Sequence, residues 1–278
     1  MHLSNEPFYF KAENAQREAF LLLHGLGGGV YEMRLLAEQL HERGYNVAGL
    51  NYPGHDRPAF RMPASTWEQW YNEVERIYLE LAASHPQVSI VGFSTGCMLG
   101  LHLAATLAEQ HPVARLILLS PFLKVRKEWY YLLEPELYVR SLGHILRQIP
   151  RFRLPINDPE MHTHVRRLGH YKTFSLMAVR SALDLIRIVS NTLESIQSPA
   201  LIIQSHRDTV VCPSGANLLM HRLGSPIKEV YWLEESDHVV LLDSERQAVI
   251  QRILTFIDST PINTPIHKSG LTLLGDEA

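Results

Sequence analysis

Two periodicities alternate along this chain. Apolar, β-branched runs bounded by turn residues, at 8–11, 19–24, 46–51, 88–93, 114–120, 200–205 and 229–233, predict seven strands. Between them, apolar residues recur every three or four positions at 31–43, 66–84, 95–110, 215–222 and 245–257, which predicts helices. The helix from Thr66 lines up Trp67, Trp70, Val74, Ile77, Tyr78 and Leu81 on one side, a stripe for packing on a sheet. Its tryptophans therefore read as core rather than as ligand contacts. Strands alternating with helices imply an α/β fold, a mostly parallel twisted sheet with helices on both faces.

The alternation stops between residues 122 and 196. Several apolar-periodic pieces, no convincing strand, and breaks at Pro135, Pro150, Pro155 and Pro159 predict a helical cap insertion, with 181–193 returning to the main body as a helix. The expected division is a core of 7–121 and 197–258, a cap with return helix at 122–196, and a C-terminal extension at 259–278, where periodicity fades. A chain of 278 residues is long enough to bury the core of one such domain.

Composition adds little beyond globularity: 46% hydrophobic and 20% charged residues argue against disorder. The net charge of −3 lacks the basic footprint of a nucleic-acid binder, so no nucleic-acid partner is expected. That charge is unevenly spread. Residues 121–180 carry 11 Lys and Arg against 5 Asp and Glu, a balance of +6, which leaves −9 for the remainder. A basic middle segment suggests anionic substrates or transient contact with a lipid surface. The first ten residues do not look like a secretory signal, and no apolar run is long enough to span a membrane. Two cysteines, Cys97 and Cys212, without CxxC spacing suit a reducing compartment, and the cytoplasm is the expected location. His162, His164 and His170 lack supporting carboxylates and read as surface residues, so no metal is expected.

The strongest chemical signal is Gly92-Phe93-Ser94-Thr95-Gly96, which follows an apolar strand and opens a helix. A G-x-S-x-G string in that context predicts a nucleophile elbow, a turn so tight that both glycines must lack side chains while the Ser94 hydroxyl stands exposed. Taken alone the string would also suit a helix N-cap serine. A serine hydroxyl needs a base, and the base needs a carboxylate to fix its tautomer. The strand at 200–205 runs into His206-Arg207-Asp208, and the strand at 229–233 into an acidic loop ending at His238. Asp208 and His238 are the predicted acid and base, in the chain order expected after such an elbow. Asp237 and Asp243 are rivals for the acid, though neither follows the appropriate strand. An oxyanion would need two backbone donors, predicted at Thr95 and at Leu26 in the loop His24-Gly25-Leu26-Gly27-Gly28-Gly29. That loop lacks the Lys and Ser/Thr of a phosphate-binding loop and the spacing of a dinucleotide fingerprint.

With these residues in place, the chain resembles small bacterial carboxylesterases and monoacylglycerol lipases of the α/β-hydrolase superfamily. The resemblance is carried by Leu21-Leu22-Leu23-His24-Gly25, by Asn51-Tyr52-Pro53-Gly54-His55, by the elbow, by Ile203 to Asp208, and by Ser236-Asp237-His238-Val239. Cys97 stands where many members have a further glycine. The resemblance implies the α/β-hydrolase fold and cleavage of a small acyl-ester substrate through an acyl-enzyme under a helical cap, with no metal or organic cofactor. Thioester hydrolysis, C–C bond hydrolysis and acyl transfer use the same three residues and stay open, as does a non-catalytic ligand-binding role. In the cap, Trp129, Tyr130, Leu133 and Met177, with neighbouring aromatic residues, either line an acyl pocket or pack the cap onto the body.

Overall fold

A computed structural model describes residues 3–13, 18–56, 59–126, 146–260 and 262. In chain order its strands are β1 (Phe8–Phe10), β2 (Glu18–Leu23), β3 (Asn46–Gly49), β4 (Gln87–Phe93), β5 (Leu116–Leu119), β6 (Gln148–Pro150), β7 (Thr173–Ser175), β8 (Ala200–Ser205) and β9 (Lys228–Leu233). The helices are α1 (Arg34–Glu42), α2 (Trp67–Ser84), α3 (Thr95–Thr106), α4 (Pro159–Leu168), α5 (Leu176–Ser190), α6 (Ser214–Arg222) and α7 (Arg246–Ser259). Seven strands form one sheet in the order β1-β3-β2-β4-β5-β8-β9, parallel throughout except for β1, which pairs antiparallel with β3 at its edge.

Alternate residues of each central strand feed opposite cores. Leu21, Ile90, Leu118 and Ile202 point into one, which α2, α3, α5 and α6 cover; Leu22, Val91, Ile117 and Ile203 point into the other, covered mainly by α1 and α7. Burial on both faces is why these strands read as unbroken apolar runs instead of alternating ones. The stripe expected on the helix after Thr66 is seen on α2, where Trp70, Val74, Tyr78 and Leu81 are buried and Trp67 and Ile77 partly so. Thr66 and Gln69 close the start of that helix with a capping box. Among the described residues, no helix is long and apolar enough to cross a membrane.

The segment between β5 and β8 departs from expectation. Besides α4 and α5 it contains an antiparallel hairpin of β6 and β7, paired Gln148 to Ser175 and Pro150 to Thr173. Strands of three residues, one ending in proline, are too short to establish a period of two, so the sequence does not display them. The return helix begins earlier than expected, at Leu176, because Ser175 caps it by accepting the Ala178 N–H.

Candidate active site

Four loops leave the carboxyl ends of β2, β4, β8 and β9 and meet above the sheet, where ligands gather in open α/β folds. Ser94 sits between β4 and α3 with φ 54° and ψ −115°, a left-handed conformation uncommon outside glycine. Its neighbours show what enforces the turn. A Cβ on Gly92 would lie 2.6 Å from the Cys97 nitrogen, and one on Gly96 would fall against the Leu23 and His24 carbonyls. Cys97 fits in place of a further glycine because its buried thiol donates to the Gly92 carbonyl at 3.0 Å. Ser94 does occupy the N-cap position of α3, but its side chain makes no capping hydrogen bond.

The Ser94 hydroxyl is 2.9 Å from His238 Nε2, and His238 Nδ1 is 2.8 Å from Asp208 Oδ2. Three residues widely separated in sequence are thus joined in one hydrogen-bonded chain, and all three are almost completely buried. Asp208 Oδ1 accepts the N–H groups of Val210 and Val211, each at 2.8 Å, and Oδ2 also accepts from Gln204 Nε2 at 3.1 Å. Burial alone would raise the Asp208 pKa; the charge and hydrogen bond of His238, with the two N–H groups, outweigh it and hold the carboxyl below its ordinary value. An ionised Asp208 favours the tautomer in which His238 Nδ1 carries a proton and Nε2 is free to accept from Ser94. The rival acids are committed elsewhere. Asp237 accepts from the Thr209 N–H and hydroxyl and pairs with Arg153 at 3.0 Å, while Asp243 accepts the N–H groups of Asn157, Asp158, Asp237 and Ser244.

Leu26 and Thr95 both line the cavity over Ser94. Thr95 is the first residue of α3, so its N–H has no carbonyl a turn earlier in the helix to bond. Leu26 is the second residue of a turn closed by Gly28 N–H to Gly25 O at 3.2 Å, with Gly27 at φ 67° in its third position, where a type II turn needs glycine. Beneath the loop, the Glu32 carboxylate accepts the Gly25 N–H at 3.1 Å. Burial pushes the Glu32 pKa up to about 7, against the opposing pull of the Gly25 N–H, Arg151 and His238.

The cavity measures about 230 Å³ and is lined mostly by apolar side chains, among them Phe93, Phe122, Ile149, Phe174, Val179 and Val210, with Arg151 and Arg153 also on its wall. Of the pocket residues expected in the cap, Trp129, Tyr130 and Leu133 lie outside the described residues. Met177 is 56% exposed and is not part of the cavity lining. The buried face of α5 runs through Leu176, Ala178, Ala182, Leu185 and Ile186, which turns position 177 outward, and Val179 lines the cavity instead.

Several contributors carry no motif. The Ser120 hydroxyl, on a residue at φ 46° just beyond β5, donates to the His238 carbonyl at 2.9 Å and holds that residue from its backbone side. Gln204, Glu32 and Arg151 likewise gain meaning only from the fold. The adjacency of Gln204 to the acid-bearing loop was the one available signal for any of them.

Residues 14–245 match the family described as serine aminopeptidase, S33. The chain belongs to that family. This S33 protein is 31% identical over 255 residues to a thermostable monoacylglycerol lipase of Bacillus sp. (strain H-257), covering 90% of the chain and 93% of the relative. It is 26% identical over 254 residues to a carboxylesterase of Bacillus subtilis (strain 168), covering 91% and 96%. Among solved structures, one from work on the metagenome-derived lipolytic enzymes LipS and LipT superposes with a TM-score of 0.80 at 25% identity, covering 92% of this chain and 98% of that one. The monoacylglycerol lipase of Paleococcus ferrophilus superposes with a TM-score of 0.76 at 20% identity, covering 91% and 98%, and shares the fold. The S33 protein has the α/β-hydrolase fold.

Proposed function

We propose that this protein is a serine hydrolase that cleaves carboxylic esters through an acyl-enzyme, with Ser94 as nucleophile, His238 as general base and then general acid, and Asp208 orienting the base. The observation that carries this proposal is the unbroken chain from Ser94 Oγ through His238 to Asp208 on a strained elbow. His238 Nε2 takes the hydroxyl proton as Ser94 attacks the ester carbonyl, forming a tetrahedral oxyanion. The N–H groups of Leu26 and Thr95 stabilise that oxyanion, and the positive end of α3 adds to their effect. Collapse expels the alcohol with the proton from His238, and a water activated by the same imidazole releases the acid.

Ester substrates are favoured by the two bacterial relatives, a carboxylesterase and a monoacylglycerol lipase, and by the apolar wall of the cavity, which suits an acyl chain. Short-chain 4-nitrophenyl esters test the proposal, with amino-acid 4-nitroanilides as the comparison because the family takes its name from aminopeptidases. The expected result is ester turnover well above anilide turnover, falling by about 10⁴-fold or more in Ser94→Ala. Undiminished ester turnover in that variant rejects the assignment. A thioester and a C–C substrate in the same panel separate the other chemistries open to this arrangement.

The cap is also proposed to touch a lipid surface transiently. Leu146, Phe152, Met177 and Phe60 are exposed, and all sit on or beside the β6–β7 hairpin: Leu176 bonds Arg147, Arg151 bonds Lys172, and Lys172 bonds Phe60 through the backbone. Apolar side chains beside the exposed Arg147 and Lys172 suit an anionic interface. A reducing compartment such as the cytoplasm is the proposed location, in keeping with Cys97 and Cys212, both free.

A further inference from the structure

The oxyanion loop is gripped from the cap side by a residue that no motif marks. Arg151 follows β6, and its backbone N–H bonds the Lys172 carbonyl at 2.8 Å, continuing the hairpin. Its Nη1 donates to the Gly27 carbonyl at 3.0 Å while the guanidinium lies 5.2 Å over the centre of the Phe174 ring. Phe174 itself packs where a Gly27 side chain would be, with the ring 2.5 Å from the Cβ position. The hairpin is tied at its other side to the body through Lys172 to Phe60, Met62 to Thr173 and Gln148 to Met62. A fixed strap of the cap therefore presses an aromatic face and a cation onto one peptide of the loop.

That peptide is directly connected to the proposed oxyanion donor. A peptide group is planar and trans, so its C=O and N–H point in opposite directions. Arg151 holds the Gly27 carbonyl, and the N–H of the same peptide, on Gly28, donates to the Gly25 carbonyl at 3.2 Å. The Gly25 carbonyl shares its own plane with the Leu26 N–H. His24 Nδ1, 2.8 Å from the same Gly25 oxygen, pins it a second time. The result is a relay from guanidinium to carbonyl, N–H, carbonyl and finally the Leu26 N–H at the cavity. Each bond polarises the next in the sense that strengthens Leu26 as a donor.

We propose that Arg151 is a positioning residue that orients and polarises the Leu26 N–H, so that seating of the cap hairpin completes the oxyanion hole. This rests on the assignment of Leu26 as an oxyanion donor. Arg151 also shares the cavity wall with Arg153, which raises direct binding of a substrate anion as the competing role. Arg153 is paired with Asp237 at 3.0 Å, so the wall does not present two uncompensated cations.

The test compares wild type, Arg151→Met and Arg151→Lys on neutral 4-nitrophenyl butyrate and on the anionic mono-4-nitrophenyl glutarate, with the rate of fluorophosphonate labelling at Ser94 as a substrate-independent readout. Arg151→Met is expected to lose about tenfold to a hundredfold in kcat on both esters with KM little changed, and labelling should slow in proportion. Arg151→Lys, which keeps the charge but not the planar fork over Phe174, should lose less with the same kcat signature. If Arg151→Met does not fold, as judged by its thermal transition, the Lys variant carries the comparison. The proposal is overturned by full kcat on the neutral ester, by a loss confined to KM, or by a loss confined to the anionic ester. Wild type inert toward both esters would remove the ester assignment, while the ratio of labelling rates would still decide the role of Arg151.

Discussion

Two buried carboxyl groups of the site meet opposite fates, and the charge of His238 together with hydrogen bonding accounts for the difference. Asp208 receives two backbone N–H groups on one oxygen and His238 with Gln204 on the other, enough to overcome burial and keep it ionised. Glu32 has the Gly25 N–H as its closest donor, and burial drives its pKa to about 7. The folded protein therefore binds the Glu32 proton more tightly than the unfolded chain does. The stability contributed by the buried Glu32 proton is fully retained below about pH 4.5, falls as pH rises through 7, and levels off above that, a loss on the order of 3 kcal/mol. Glu32→Gln keeps an oxygen to accept the Gly25 N–H and removes the charge. Urea denaturation should show the variant gaining on wild type at pH 8 relative to pH 5. An unchanged gap between the two proteins at both pH values would contradict the buried-carboxyl explanation.

At the scale of elements, legibility follows the number of constraints a segment satisfies. The elbow is readable because strand, turn and helix each leave a mark, and because Gly92 and Gly96 are both demanded by backbone contacts. Asp208 is distinguishable from Asp237 and Asp243 by following β8, and those two turn out to brace loops instead. The seven sheet strands fall within two residues of their predicted ends at every boundary; burial on both faces gives the central ones a dense apolar run, while the edge strands β1 and β9 are only partly buried. The β6–β7 hairpin has no such signature, being three residues a side and of mixed polarity. Arg151, Ser120 and Glu32 are invisible for a different reason. Each acts through a backbone group brought near by the fold, and a single contact across many residues imposes no local pattern. Met177 shows the reverse error: an apolar residue in the cap looks like pocket until the helix phase is known.

At the scale of the whole molecule, an excess of positive charge and, among the described residues, the most exposed large apolar side chain both fall on the segment that covers the site. The described part of the basic middle segment carries Phe152 at 93% exposure between Arg151 and Arg153. Co-sedimentation with phosphatidylcholine vesicles containing phosphatidylglycerol should therefore exceed that with phosphatidylcholine alone. It should weaken in Phe152→Ser and fall as salt shortens the screening length to about 3 Å near 1 M. Equal retention on both vesicles at all salt concentrations would contradict an electrostatic contribution from the cap. The fold itself needs no lipid to assemble the reacting groups, since four strand ends bring them together beneath the cap. The central claim, that this convergence makes one hydroxyl nucleophilic, is tested most directly by fluorophosphonate labelling of the native protein followed by peptide mapping. A single adduct on Ser94, formed far more slowly in His238→Ala, is the predicted result; ester turnover with the adduct on another residue, or with none, would contradict it.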